Sequence, residues 1–87
     1  MSYPFQYANI TRVVPVDLTT QDFADDRGFF VRSGGGGTLK YLPADNSETE
    51  PITKTLDASA YFNDCELVKK IFKTGTDATD IYAGYGV

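Results

Sequence analysis

Four consecutive glycines, Gly34 to Gly37, sit between two short β-type runs, GFFVRS at residues 28–33 and TLKYLP at residues 38–43. Glycine carries no Cβ and enters positive φ at little steric cost, so such a run marks a place where the chain must do something unusual. Three uses compete. A phosphate loop requires G-x-x-x-x-G-K-[ST] opening a helix. Here Gly37 is followed by Thr38, Leu39, Lys40 and Tyr41, and Pro43 opposes a helix. A dinucleotide fingerprint needs a strand-to-helix crossover, and none is visible. A linker needs a domain on each side, which 87 residues do not provide. The expectation is therefore a hairpin turn with Gly34, Gly35, Gly36 and Gly37 at its tip.

The rest of the chain reads mostly as strand. Residues 1–9, MSYPFQYAN, form an extended N-terminal arm carrying Tyr3, Phe5 and Tyr7. ITRVVPVDL at 10–18 is β-branched but interrupted by Pro15, which places it at a sheet edge. TTQDFADDRG at 19–28 reads as a polar connection with a short helical turn, capped by Thr20 and ended by Asp25, Asp26 and Gly28. ADNSETEP at 44–51 is an acidic loop tip. Its Asp45, Asn46, Glu48 and Glu50 are oxygen ligands of the kind calcium takes, but the EF-hand spacing is absent, so a solvated loop is expected. ITKTLD at 52–57 alternates as a strand, and ASAYFND connects onward with Tyr61 and Phe62 tucked inward.

CELVKKIFKTG at 65–75 stays open, with the local pattern slightly favouring a helix. Leu67, Val68, Ile71 and Phe72 share a helical face, with Asn63 or Asp64 as cap and Gly75 as stop. The same run fits a strand with a bulge at Lys69–Lys70. TGTDATD is a turn and IYAGYGV a final strand. The sum is a mainly β domain over 10–87, built of about six short strands, preceded by the arm.

Composition excludes several functions. A net charge of −4 opposes binding to nucleic acid and to anionic membrane surfaces, which both rest on Lys and Arg. The nearest thing to a basic cluster, Lys69, Lys70 and Lys73, reads as a solvated face. With one cysteine and no histidine, no disulfide framework and no His-dependent triad can be assembled within the chain, and zinc and redox-metal sites are close to excluded. Cys65 reads as a small buried apolar group. Asp25–Asp26 and Asp77/Asp80 are the closest carboxylate pairs, and both read as turn residues rather than catalytic ones. No cofactor, metal or catalytic set is expected. No stretch approaches a membrane span, and the first residues lack a secretory pattern. A chain this short hides about 60% of the surface its unfolded form exposes, so oligomerisation is a natural way to bury more.

VKKIFKTGTDATDIYAGYG at 68–86 resembles the closing segment of the head spike base proteins of tailed phages and gene transfer agents. There a basic-hydrophobic strand is followed by a turn of the form TGTTATDI and a terminal strand. ITRVVPVDLTT at 10–20 is similar to that family's V-x-P-x-D-x-T-D opening, and RGFFVRSGGGGTLKY at 27–41 to its RALYVG-x-x-G hairpin. Order and spacing match over residues 10–86. The length of the glycine run, the middle segments and the arm depart from the family's pattern. The resemblance implies a small antiparallel β-sandwich or barrel and a strand at 65–73. It implies a non-catalytic virion structural protein, a homo-oligomeric ring on the capsid surface, made in the host cytoplasm. Its partners would be the major capsid protein and a fibre or spike protein. The contacts expected are Tyr3, Phe5 and Tyr7 in the arm, Gly34, Gly35, Gly36 and Gly37, and Asp45, Asn46 and Glu48. A phage neck or tail component, or a monomeric peptide- or ligand-binding module, is the alternative.

Overall fold

Alternating apolar residues along short runs favour strands, and every regular element among the described residues is one. The computed structural model describes residues 10–62 and 64–86, with the backbone alone at 64 and 65. The readings of the arm and of the Cys65 side chain lie outside the described residues. The strands are β1 (Ile10–Pro15), β2 (Phe23–Pro43), β3 (Ile52–Leu56), β4 (Asp64–Ile71) and β5 (Thr79–Gly86). They form one antiparallel sheet in the order β1-β5-β2-β3, with β4 also paired to β2. Five strands replace the expected six, because two of the expected ones are a single strand.

That strand is β2, 21 residues long, and it corrects the hairpin reading of the glycines. The chain does not reverse at Gly34–Gly37. It bends, with φ of +77° at Gly36 and +126° at Gly37, and changes partner. Upstream, Phe30 to Ser33 and Gly36 pair with β5, whereas Gly37 to Tyr41 pair with β3. Positive φ was correctly anticipated, but its use was not. A local pattern shows that the chain must bend, whereas the direction of the bend depends on which strands wait on either side.

β2 also meets β4 twice. Ile71 pairs with both Phe23 and Tyr41, and Lys70 with both Ala24 and Leu42, so the two ends of β2 flank β4. Residues after β4 extend this contact. Phe72 N donates to Lys40 O at 2.9 Å, and the amides of Asp77 and Ala78 donate to Thr38 O at 2.9 and 3.0 Å. Thr38 N in turn donates to Asp77 Oδ1 at 2.7 Å. Asp77 thus spends its carboxylate on β2 rather than on its own turn.

The core gathers on the inward positions of β2, β4 and β5: Phe29, Val31, Leu39, Tyr41, Val68, Ile71, Ile81 and Ala83, with Leu56 from β3. β4 settles the ambiguous segment as strand. A bulge explains how Val68 and Ile71, three residues apart, both face inward. Lys70 and Val68 oppose the adjacent residues Leu42 and Pro43, so Lys69 is the extra residue. Leu67 then points outward and is 42% exposed. β1 pairs with β5 alone, which makes it the edge strand that Pro15 implied.

Two local readings fail. No helical turn forms at 19–28; bends at 19–21 lead directly into β2. Asp17 supplies the turn there, accepting from Thr19 N at 2.9 Å and Thr19 Oγ1 at 2.7 Å. β4 was available as a strand partner, pairing with Phe23 and Ala24, and its ladder outweighs a short turn's propensity. Of the two aromatics expected to tuck inward, Phe62 does, at 6% exposure, but Tyr61 is 70% exposed. Phe62 lies over Gly84, which has no side chain to exclude it.

Candidate partner-contact surface

The residues singled out in the sequence fall into three places. Tyr3, Phe5 and Tyr7 lie outside the described residues. Gly34 to Gly37 form the corner of β2, and Asp45, Asn46 and Glu48 lie in the loop between β2 and β3. The corner abuts the end of β3, since Gly37 pairs with Leu56, whereas the acidic loop enters β3 at Ile52. A five-residue strand, roughly 13–17 Å long, therefore separates the two sets, and the fold does not bring them together.

The glycine corner is packed rather than projecting. A Cβ on Gly35 would lie 1.9 Å from Thr79 Oγ1, and one on Gly37 would lie 2.7 Å from Ala78 Cα. At Gly36 it would meet Leu56 O and Ala58 N, each at 3.0 Å. Ser33, buried beside the corner, donates to Thr79 O and accepts from Gly36 N at 2.9 Å. Gly34 and Gly35 remain exposed, and Gly36 and Gly37 are half-buried. The acidic loop holds itself together: Asn46 Nδ2 donates to Glu50 O at 2.9 Å, and Ser47 N to Glu50 Oε1 at 3.0 Å. Among the described residues, no group of three or more His, Cys, Asp or Glu side chains is placed to hold a metal.

A third surface was not foreseen. The β2–β5 ladder ends at Phe30 opposite Gly84. Beyond that pair, β2 turns to β4 through Phe29 and Val68, while β5 stays with β1 as far as Gly86 opposite Ile10. The two strands splay, and a groove of about 370 Å³ opens between residues 27–30 and 84–86, with Leu67 at its side. That volume lies at the low end of the range for ligand-sized clefts. Gly28 permits the departure, with φ of +82° and a missing Cβ whose place is taken by the Leu67 side chain.

A polar cluster buttresses the groove. Arg27 Nη2 lies 2.9 Å from Asp25 Oδ2, and the Tyr85 hydroxyl donates to the same oxygen at 3.0 Å. Arg27 N donates to Asp25 Oδ1 at 3.0 Å. The Arg27 side-chain hydrogen bond, then its backbone amide, hold the Asp25 carboxyl far below the usual carboxylate range, with a further contribution from Tyr85. Burial pushes the Tyr85 phenol upward, and the bond to Asp25 adds to it. The Arg27 and Arg12 guanidinium groups lie 5.0 and 5.4 Å from the centre of the Tyr85 ring. A guanidinium attracted to the ring face fixes that ring as the groove wall.

The sequence contained the parts of this surface, DDRG at 25–28 and GYG at 84–86, but each looked like an ordinary turn or strand end. Nothing in a single chain's pattern says that two paired strands part company. What the groove can do chemically is bind. It offers aromatic rings, an aliphatic side chain and backbone, with its charges already paired across Asp25 and Arg27. Comparison with protein-family models, curated proteins and solved structures finds no match for this chain.

Proposed function

We propose that this chain is a non-catalytic structural part of a virion: a self-assembling, capsid-associated spike base or decoration that anchors a fibre. The observation that carries the reading is the ordered set of segments resembling head spike base proteins across residues 10–86. The small β-sandwich or barrel implied by that resemblance belongs to the same reading, and the curl of β2 around β4 supports it. Ring assembly is supported by the outer strands. β1 and β3 each pair with one neighbour, which leaves a free edge on each among the described residues. Head-to-tail contacts that join two different surfaces of one chain close into rings when the rotation allows. On this reading the protein needs no cofactor and works at the capsid surface beside the major capsid protein and a fibre.

A second reading has one observation in its favour. A free strand edge can accept an extended peptide, so a monomeric binding module would also use β1 or β3. The solution mass separates the two. Size-exclusion chromatography with light scattering, over a range of concentrations, should give a defined multimer, and negative-stain images should show rings. A monomer at every concentration would favour the binding module.

A further inference from the structure

We propose that the groove between β2 and β5 receives the N-terminal arm, residues 1–9, of a second copy of this chain. The inference rests on the self-assembly reading and gives it a specific joint. Its first ground is the groove's construction. Two antiparallel strands that pair up to Phe30 and Gly84 part beyond it, and an open groove of about 370 Å³ runs along the divergence. Strand addition into such a gap draws affinity from main-chain bonds and specificity from alternate side chains.

The second ground is the arm itself. Tyr3, Phe5 and Tyr7 recur at every second residue, so an extended arm presents all three on one face. The groove offers matching partners. Phe30, Tyr85 and the 42% exposed Leu67 are apolar or aromatic surfaces, and Arg27 adds a cation beside the ring. The arm has no acidic or basic side chain, which suits a groove whose own charges are already paired.

The third ground is where the arm begins. Ile10 opposes Gly86, so β1 starts at the groove's end of β5, but on the edge of β5 away from β2. To enter its own groove, the arm would have to cross the end of β5 and reverse. Nine extended residues reach ~30 Å, whereas the four-residue groove wall is ~13 Å long. The excess is a tether long enough to reach a neighbour.

The experiment uses four samples: the full chain, a chain lacking residues 2–8, Leu67→Asp, and the triple variant Tyr3→Ser/Phe5→Ser/Tyr7→Ser. Leu67 is exposed and the arm precedes β1, so none of these changes removes a core side chain; circular dichroism verifies the fold. A fluorescently labelled peptide of residues 1–10 is titrated into the arm-deleted chain by anisotropy, with a scrambled peptide as control. We expect saturable binding of the native peptide, at least tenfold weaker with Leu67→Asp placed in the arm-deleted chain, and at least tenfold weaker for the scrambled peptide. We also expect the full chain to be multimeric and the other three samples monomeric. Equal binding of both peptides, or no binding, overturns the proposal. A multimeric full chain whose mass survives arm deletion overturns the joint but leaves self-assembly standing. A full chain that is monomeric throughout overturns self-assembly; if it also refuses the peptide that the arm-deleted chain binds, the arm fills its own groove and the second copy is excluded.

Discussion

The corner of β2 at Gly34–Gly37 and the groove mouth at Gly28 use glycine in the same conformation for opposite ends. Both lie on one strand and both hold positive φ, +82° at Gly28 against +77° and +126° at Gly36 and Gly37. At the corner, backbone from two other segments fills the space a side chain would take: Leu56 O and Ala58 N at Gly36, Ala78 Cα at Gly37. At the groove, the space is taken by Leu67 Cγ at 2.9 Å, the end of an exposed side chain that can swing away. The corner is thus a closed joint between three chain segments, and the groove mouth is an open one. Glycine marks a bend in each case, but the identity of the neighbouring atom decides whether the bend can yield.

Substitutions turn this contrast into measurements. The largest effect is expected from Gly37→Val. A β-branched residue is strained at φ of +126°, and its Cβ would strike Ala78 Cα, so the two costs add to about 3–5 kcal/mol. Urea denaturation reads this directly, and a loss under about 1 kcal/mol would mean that the corner relaxes as readily as the groove. Gly28→Ala should cost less, about 1–2 kcal/mol, mostly from φ. Combining it with Leu67→Ala should return part of that loss, because the colliding side chain is gone. Strict additivity in this double-mutant cycle would show that Leu67 already moves freely.

Smaller still is Tyr41→Phe, on the corner's arm of β2. The buried Tyr41 hydroxyl donates to Glu66, which Lys54 also approaches at 3.3 Å. Tyr41 first, and Lys54 after it, hold the Glu66 carboxyl below its ordinary range. Removing the hydroxyl should cost about 1 kcal/mol near neutral pH. A carboxyl depressed by folding stabilises the fold above its unfolded pKa, and that contribution fades as pH falls toward the folded value. The acid slope should therefore be shallower in Tyr41→Phe, and an unchanged slope would remove Tyr41 from the account.

The smallest effect belongs to the groove's buttress, in Asp25→Asn. Asp25 is likewise depressed, so its share is present above its unfolded pKa of about 3.9 and is lost progressively on acidification. Tyr85 behaves in the opposite sense: its raised pKa contributes stability below about 10, lost as pH rises through the folded value. Asp25→Asn should flatten the acid limb and lower the tyrosinate midpoint of Tyr85 in an ultraviolet titration. An unmoved midpoint would leave burial as the whole cause of the Tyr85 shift.

Much of the strand inventory was legible in the residues. β-Branched runs marked β1 and β3, Pro15 marked the edge, and the alternative of a bulged strand at Lys69–Lys70 matched β4. Local pattern alone leaned toward a helix for that segment, because Leu67, Val68, Ile71 and Phe72 satisfy a helical face as well as a bulged one. The candidate contacts were legible only as types. Asp45, Asn46 and Glu48 do lie in an exposed-edged loop, but the four glycines were placed on a tip that the fold does not possess. The groove was invisible, because its walls are 57 residues apart at Arg27 and Gly84 and are ordinary on their own.

By itself, the sequence determined that the chain is mainly β, roughly where β1, β3 and β5 lie, and that at pH 7 it carries net negative charge with one cysteine and no histidine. These follow from side-chain periodicity and chemical identity, which are local. Tertiary structure alone decided that the glycine run would carry β2 from β5 to β3, that β4 would lie between the ends of β2, and that β2 and β5 would splay beyond Phe30 and Gly84. Those outcomes depend on which backbone hydrogen bonds can be satisfied simultaneously by distant segments, and only the assembled sheet sets that condition.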